Sequence, residues 1–320
     1  MKILVTGGAG FIGSHLTESL LKRGDEVIVA DNFSTGSIEN LDSVRDHRAL
    51  KVIELDVAQD QQKVAQLVKE CDCVIHLAAA VGVELVVNDP ARTISTNVRG
   101  TENVLLPAVE FDKRIIAAST SEVYGKSSKD KFSESDDLLI GSPEHSRWSY
   151  ACSKLLDEFY LTALVQTANL RGTVTRFFNT VGPRQTGRYG MVLPRFVRAA
   201  LNNEDIPVYG DGGQSRCFCH VHDVIRALIS LIDDERTIGE VYNIGSQRLV
   251  TIKELAELVI KRTGSASKIS IIPYEKAYAK GFEDMRRRMP DTAKLHALNG
   301  WQVEKSLEEI IDDVTESLKK

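Results

Sequence analysis

The stretch Ile3-Leu4-Val5-Thr6-Gly7-Gly8-Ala9-Gly10-Phe11-Ile12-Gly13 decides how this chain is read. Its opening run has no alternation of polar positions, the pattern of a strand buried on both faces. Glycines follow at once, and the residues from Ser14 to Arg23 then read as a helix. Glycine at 7 permits a tight turn, glycine at 10 lets backbone approach a pyrophosphate, and glycine at 13 allows close helix–strand packing. The helix start offers unpaired N–H groups and the positive end of a dipole to phosphate. A glycine triplet alone also suits a flexible turn, so its flanks carry the weight.

Outward from this motif, similar apolar runs recur at Val27–Ala30, Val52–Leu55, Cys73–Leu77 and Ile115–Ala118, with helical segments such as Asn97–Phe111 between them. Strands alternating with helices predict an α/β fold with a doubly wound parallel sheet. Asp31 ends the second strand, 18 residues beyond Gly13. A carboxylate there can hydrogen-bond ribose hydroxyls and would repel a 2′-phosphate, which selects NAD over NADP; the plainer alternative is a turn residue. Asp56-Val57, after the third strand, suits adenine contact, and Ala78-Ala79-Ala80, after the fourth, leaves room for a cofactor to cross the sheet edge.

The whole chain has 320 residues, 42% hydrophobic and 27% charged, which excludes global disorder. A net charge of −5 and the lack of a basic or aromatic stripe argue against a nucleic-acid binder. No apolar run approaches the length of a membrane span, and Gly7 and Gly8 interrupt any signal-peptide core. Five cysteines in a chain this long suit a reducing compartment, so a cytoplasmic protein without membrane partners is expected. After about residue 180 the texture changes, with Gly, Pro and Arg crowding Val181–Gly190 and Val208–Arg216. Residues 1–178 with about 214–246 are read as the cofactor domain, and about 179–213 with 247–320 as a smaller substrate domain.

Tyr150-Ala151-Cys152-Ser153-Lys154 places Tyr and Lys one above the other on a helix face. A free phenol has a pKa near about 10. A neighbouring ammonium, helped by a positively charged nicotinamide, favours phenolate and makes Tyr150 a base for a sugar hydroxyl. By itself Tyr-x-x-x-Lys is common, and a half-exposed helix face is its plain alternative. Upstream, Ser119-Thr120-Ser121-Glu122-Val123-Tyr124-Gly125 caps a strand and brings Thr120, Ser121 and Glu122 to the carboxyl edge of the sheet, where such folds bind ligands. The Thr120 hydroxyl can hydrogen-bond the reacting oxygen.

These residues together resemble the extended short-chain dehydrogenase/reductases of the nucleotide-sugar epimerase, dehydratase and decarboxylase group. The resemblance is carried by Gly7–Gly13, Asp31-Asn32-Phe33-Ser34-Thr35-Gly36, His76-Leu77-Ala78-Ala79, Asn97–Thr101, Ser119–Gly125, Tyr150–Lys154, Phe178–Arg184 and Tyr209–Gly212. It implies a Rossmann-type sheet, NAD as cofactor, and a UDP-sugar oxidised transiently at C4. It makes Thr120, Tyr150 and Lys154 the catalytic set, with Ser121 and Glu122 beside them. Cofactor contacts are implied for Gly7, Gly10, Phe11, Ile12, Gly13, Asp31, Asn32, Ser34, Thr35, Gly36, Asp56, Val57, Leu77, Ala78, Ala79, Asn97 and Ser119, besides Tyr150 and Lys154. Substrate contacts are implied for Val81, Glu122, Asn179, Arg184, Arg188, Val192, Tyr209, Arg216 and Arg288. A homodimer is expected through the apolar faces of Asn97–Phe111 and Tyr150–Gln166.

Within the group, dehydratases resemble this chain at Ser119–Gly125 but carry Asp-Glu where it has Ser121-Glu122, so elimination of water is disfavoured. Glu122 leans toward a uronic acid or C5 chemistry, with a structural glutamate as the plain alternative. Arg184-Gln185-Thr186-Gly187-Arg188 and the residues around Ser146–Tyr150 resemble a UDP-glucuronic acid 4-epimerase, and Arg184 or Arg188 can pair with a C6 carboxylate. A 4-epimerase acting on UDP-glucuronic acid is therefore preferred, with a UDP-glucuronic acid decarboxylase or UDP-glucose-type epimerase as alternatives. A non-catalytic dinucleotide-binding regulator is the alternative of a different class, and the intact Thr120, Tyr150 and Lys154 argue against it.

Two features read as distractors. Cys217-Phe218-Cys219-His220-Val221-His222, on one strand, would split cysteines and histidines between opposite faces, so no metal is expected. His76 reads as a satisfied core histidine. The run Glu283–Asp291 is either a solvated face or, through Arg288, part of substrate recognition.

Overall fold

Strands form where the apolar runs predict them, and helices fill the intervals. The computed structural model describes residues 1–82, 86, 88–186, 191–273 and 285–319. The elements begin with β1 (Lys2–Thr6), α1 (Phe11–Arg23), β2 (Glu26–Asp31), β3 (Leu50–Glu54), α2 (Gln61–Glu70), β4 (Cys73–His76), α3 (Pro90–Glu110), β5 (Arg114–Thr120), α4 (Trp148–Ala168) and β6 (Arg171–Phe177). They continue with β7 (Thr180–Val181), α5 (Val192–Leu201), β8 (Ile206–Tyr209), β9 (Ser215–Cys217), β10 (Cys219–His220), α6 (Val221–Ile232) and β11 (Val241–Ile244). Last come β12 (Leu249–Thr251), α7 (Ile252–Thr263), β13 (Ile269–Ile272), β14 (Arg287–Arg288), α8 (Ala293–Asn299) and α9 (Leu307–Leu318).

Seven strands make one parallel sheet in the order β11-β6-β5-β4-β1-β2-β3. The period of two along each strand divides its side chains between two cores. Ile3, Val5, Val27, Val29 and Ile75 face Leu16 and Leu20 of α1 and Leu228 of α6. Leu4, Ile28, Val74 and Ile115 face Leu67 of α2, Leu105 of α3 and Leu161 of α4. With helices on both faces, the central positions of the inner strands are apolar on both sides, which is why the runs lack alternation. The chain reverses direction across the sheet between β1 and β4, and the crevice opened there is where such sheets bind ligands.

A third core joins Val197 of α5, Ile206 and Val208 of β8, Val259 of α7 and Ile310 and Ile311 of α9. The long helices have legible ends. Asp89 accepts from the Arg92 N–H just before Pro90, and Thr251–Glu254 and Ser306–Glu309 form reciprocal capping boxes. A small sheet pairs β9 antiparallel with β12 and parallel with β14, so it straddles the division expected near residue 214.

The segment 217–222 corrects one expectation. It is not one strand: Phe218 separates β9 from β10, and Val221 opens α6. Among the described residues no group of His, Cys, Asp and Glu is arranged to hold a metal. No helix among them is long and apolar enough to cross a membrane.

Candidate active site

A cleft of about 810 Å³ opens over the carboxyl ends of the central strands. One wall is the turn between β1 and α1. At Gly7, φ is +69°, and a Cβ would lie 2.9 Å from the Ala78 nitrogen. At Gly13 a Cβ would lie 2.1 Å from the Gly7 carbonyl oxygen. Both positions therefore require glycine. At Gly10 the nearest atom to a built Cβ is 3.2 Å away, and no side chain caps α1 there. Backbone N–H groups at the helix start are left facing the cleft, as a pyrophosphate requires.

Asp31 is buried at the end of β2. Its Oδ2 accepts from the Ala9 N–H and its Oδ1 from the Phe33 N–H, both at 2.9 Å. Burial pushes its pKa up, against the pull of these backbone donors. Each oxygen keeps a second lone pair for a ribose hydroxyl. Asp56 is steadied from both sides, by the Ala58 N–H at 2.9 Å and the Asn32 amide at 3.2 Å. Gly cradle, open helix start and anchored carboxylate together fit a dinucleotide without a 2′-phosphate.

Across the cleft, α4 carries Tyr150 and Lys154 on one face. Lys154 is almost wholly buried and its Nζ donates to Asp157 Oδ2 at 2.7 Å. Tyr150 is held above the usual phenol range, first by burial, then by the Glu122 carboxylate, with a hydrogen bond from Thr120 opposing both. Thr120 caps the 3-10 turn Ser121–Tyr124, its Oγ1 accepting from the Glu122 N–H at 3.2 Å. Glu122 Oε1 in turn accepts from Arg288 Nη1 at 3.3 Å. Arg288 stands opposite Arg216 in the β14–β9 register, so two guanidinium groups line the same side of the cleft. The Arg288 Nε is buried without a hydrogen-bond partner.

Every described residue of the sequence-derived site set lines this cleft except Gly36 and Asn97; Arg188 lies outside the described residues, as do Glu283 and Asp284. Gly36 packs against the Ala9 backbone, where a Cβ would meet atoms at 2.9 Å. Asn97 is buried behind the wall, accepting from the Ala80 N–H at 2.7 Å and donating to Ser153 Oγ at 3.0 Å. It ties the loop after β4 to α4. The Ser119 hydroxyl is committed to Glu158, which is paired with Arg176. Arg184 lines the cleft and also donates to Ser14 Oγ at 3.2 Å and pairs with Glu18 at 2.5 Å, so its guanidinium fastens the Phe178–Arg184 loop onto α1. Asn179 donates to the Cys217 carbonyl at 3.0 Å, bracing the floor of the substrate side.

Sequence reasoning missed Arg195, whose Nη2 donates to the Tyr209 hydroxyl at 2.7 Å, and Asp157. Nothing local marks Arg195. Asp157 had a readable signal, since it lies three residues from Lys154 on the same helix face.

A glycine turn on a parallel sheet, facing a helix that presents Tyr and Lys, defines a dinucleotide-dependent enzyme of the short-chain dehydrogenase/reductase class. Residues 3–245 match the NAD dependent epimerase/dehydratase family, and the chain belongs to that family. NAD is accordingly its cofactor. It is 43% identical over 295 residues to a UDP-N-acetyl-alpha-D-glucosaminuronate decarboxylase of Bacillus cytotoxicus, covering 92% of this chain and 90% of that protein. It is 34% identical to a UDP-glucuronic acid decarboxylase 1 of Xenopus tropicalis, over 100% of this chain and 72% of the relative. Among solved structures, a UDP-glucuronic acid 4-epimerase from Bacillus cereus, in complex with UDP-glucuronic acid and NAD, superposes with a TM-score of 0.89. The two are 27% identical over 100% of this chain and 99% of that one.

Proposed function

We propose that this protein is an NAD-dependent decarboxylase of a UDP-hexuronic acid, either UDP-glucuronic acid or its 2-acetamido counterpart. The observation that carries the reading is the Glu122–Arg288 pair beside Thr120 and Tyr150. The decarboxylase names of relatives matched over nearly the whole chain support it, and the 4-epimerase preferred from sequence gives way to the alternative. NAD, held by the Gly7–Gly13 turn and Asp31, would supply the reversible hydride acceptor for C4. Tyr150 takes the C4 hydroxyl proton, Thr120 holds the same oxygen, and the Lys154 charge favours the phenolate. With C4 a ketone, the C6 carboxylate belongs to a β-keto acid. The C5–C6 bond then breaks, CO2 leaves, and its electron pair passes into the C4–C5 enolate. Glu122, held by Arg288, takes up a proton from solvent once CO2 has left and delivers it to C5, and Tyr150 returns its own proton to the C4 oxygen. Arg216 and Arg288 supply the positive charge that an anionic sugar nucleotide needs.

Residues 1–178 with about 214–246 form the cofactor part in this reading, and about 179–213 with 247–320 the substrate part. We also propose a homodimer in which a second copy covers Leu156 and Phe159 of α4 and Leu106 of α3, large apolar side chains exposed on two neighbouring helices. All five cysteines are free thiols, which favours the reducing cytoplasm.

The test is incubation of the NAD-loaded protein with each UDP-hexuronic acid, following product mass and proton NMR. Loss of CO2 supports the proposal. An unchanged mass with an axial C4 hydroxyl overturns it in favour of a 4-epimerase, and no turnover of either sugar overturns the uronic-acid assignment.

A further inference from the structure

A line of buried hydrogen bonds behind the cleft leads toward Asp157. The Ala78 N–H donates to Thr6 Oγ1 at 3.2 Å, and Thr6 Oγ1 lies 2.8 Å from His76 Nδ1. His76 Nε2 lies 3.2 Å from Thr101 Oγ1, and the Thr101 hydroxyl favours the ionised form of the Asp157 carboxylate. Thr6, His76 and Thr101 are each at most 1% exposed. Burial and the Lys154 charge hold His76 down at about 3, so its imidazole is neutral and has one donor and one acceptor nitrogen. The Ala78 N–H can only donate and the carboxylate can only accept. With the Thr101 hydroxyl turned to the Asp157 carboxylate, the bonds share one direction: Ala78 to Thr6, Thr6 to His76 Nδ1, and His76 Nε2–H to Thr101. All donors run toward Asp157, while Lys154 donates to it from the other side.

We propose that Asp157 is a positioning residue for the Tyr150–Lys154 pair, holding the Lys154 ammonium charged and at one place beside the cofactor. A lysine this buried loses its charge readily unless it is paired. Burial works against the carboxylate too, with the Glu158 charge adding to it, while Lys154 and Thr101 oppose both. The line of donors supplies the reason an anion persists there. It starts at the Ala78 N–H, in the cofactor wall after β4, so it fastens α4 to that wall. Against Tyr150 alone the Asp157 charge, like that of Glu122, disfavours phenolate, so its grip on Lys154 must outweigh this for Tyr150 to act as the base. The two effects have opposite signs, which makes the proposal testable.

The inference rests on Tyr150 and Lys154 being the catalytic pair. The test compares holoenzyme with Asp157→Asn and Asp157→Glu in two readouts. One is the pH dependence of kcat and KM with a UDP-hexuronic acid. The other, independent of turnover, is tyrosinate absorbance against pH, each protein referenced to its own Tyr150→Phe counterpart. In Asp157→Asn the alkaline limb of kcat moves down by about one pH unit or more, so kcat falls by about tenfold relative to the parent on the alkaline side of both limbs. KM changes little, Tyr150 ionises at higher pH, and Asp157→Glu restores both. Superimposed profiles overturn the proposal, as does ionisation of Tyr150 at lower pH. If Asp157→Asn does not fold, Thr101→Val, which removes the last donor at constant volume, must give a smaller shift in the same direction, and no shift overturns the proposal. Full turnover by Tyr150→Phe would refute the catalytic pair itself, while the absorbance titration would still judge Asp157.

Discussion

Glu122→Gln separates what the Glu122–Arg288 pair does for the fold from what it does for the reaction. At 3.3 Å, and an effective dielectric constant of about 20, the attraction is on the order of 5 kcal/mol before desolvation. The two side chains are 20% and 13% exposed, so solvent screening reduces the net contribution to about 1 kcal/mol. Glutamine keeps the shape and an acceptor for Arg288, so Tm should fall by about 2 °C or less. A positioned acid is worth about 10²- to 10⁴-fold in rate, or about 3–5 kcal/mol. The catalytic loss should therefore exceed the stability loss severalfold. The measurement is a rapid-mixing experiment with UDP-glucuronic acid that follows dinucleotide absorbance and CO2 release together. Hydride removal from C4 should survive, because Tyr150, Thr120 and Lys154 are untouched, while product formation falls by about 10²-fold or more. Loss of the Glu122 charge also removes one cause that raises Tyr150, so the acid limb of the oxidation step should move to lower pH. Turnover within about threefold of the parent, with an unmoved acid limb, would refute the assigned role.

Gly13→Ala places a methyl group 2.1 Å from the Gly7 oxygen, forcing apart the turn that receives the pyrophosphate; calorimetry should show NAD affinity lost together with about 1–3 kcal/mol of stability. Burial holds His15 and His220 down at about 4, so both stay neutral in the fold but take up protons when unfolded below their ordinary pKa of about 6.5. Their contribution to stability is thus complete above about pH 6.5 and lost as pH falls toward about 4, and Tm measured across that window should drop less steeply in His220→Gln. Phe159→Asp, on an exposed site of α4, should convert a dimer to monomer in sedimentation velocity without lowering helix content; a parent protein already monomeric would defeat the dimer.

Local spacing was enough to read much of this protein. Strand, glycine turn and helix are contiguous from Ile3 to Arg23, and each step follows from what a few neighbouring residues permit. The pairing of Tyr150 with Lys154 follows from helix pitch, and the reading of His76 as a satisfied core residue from its place in an apolar run. The doubly wound parallel sheet follows from the alternation of strands and helices along the chain.

Long-range partners were not legible. Arg288 meets Glu122 only because β14 pairs with β9, and Arg184 meets Glu18 because its loop packs on α1. The segment 217–222 was expected as one strand but breaks at Phe218, because Cys219 and His220 pair with β7 while Cys217 pairs with β12. Asp157 stood in plain view three residues from Lys154, but its weight depends on burial and on Thr101 and His76 from other elements. The sequence by itself determined the fold class, the cofactor turn and the helix bearing Tyr150 and Lys154, because those depend on interactions within a turn or two of chain. Tertiary structure alone decided which charges face one another across the cleft, because such pairs are set by strand pairing and helix packing between residues far apart in sequence.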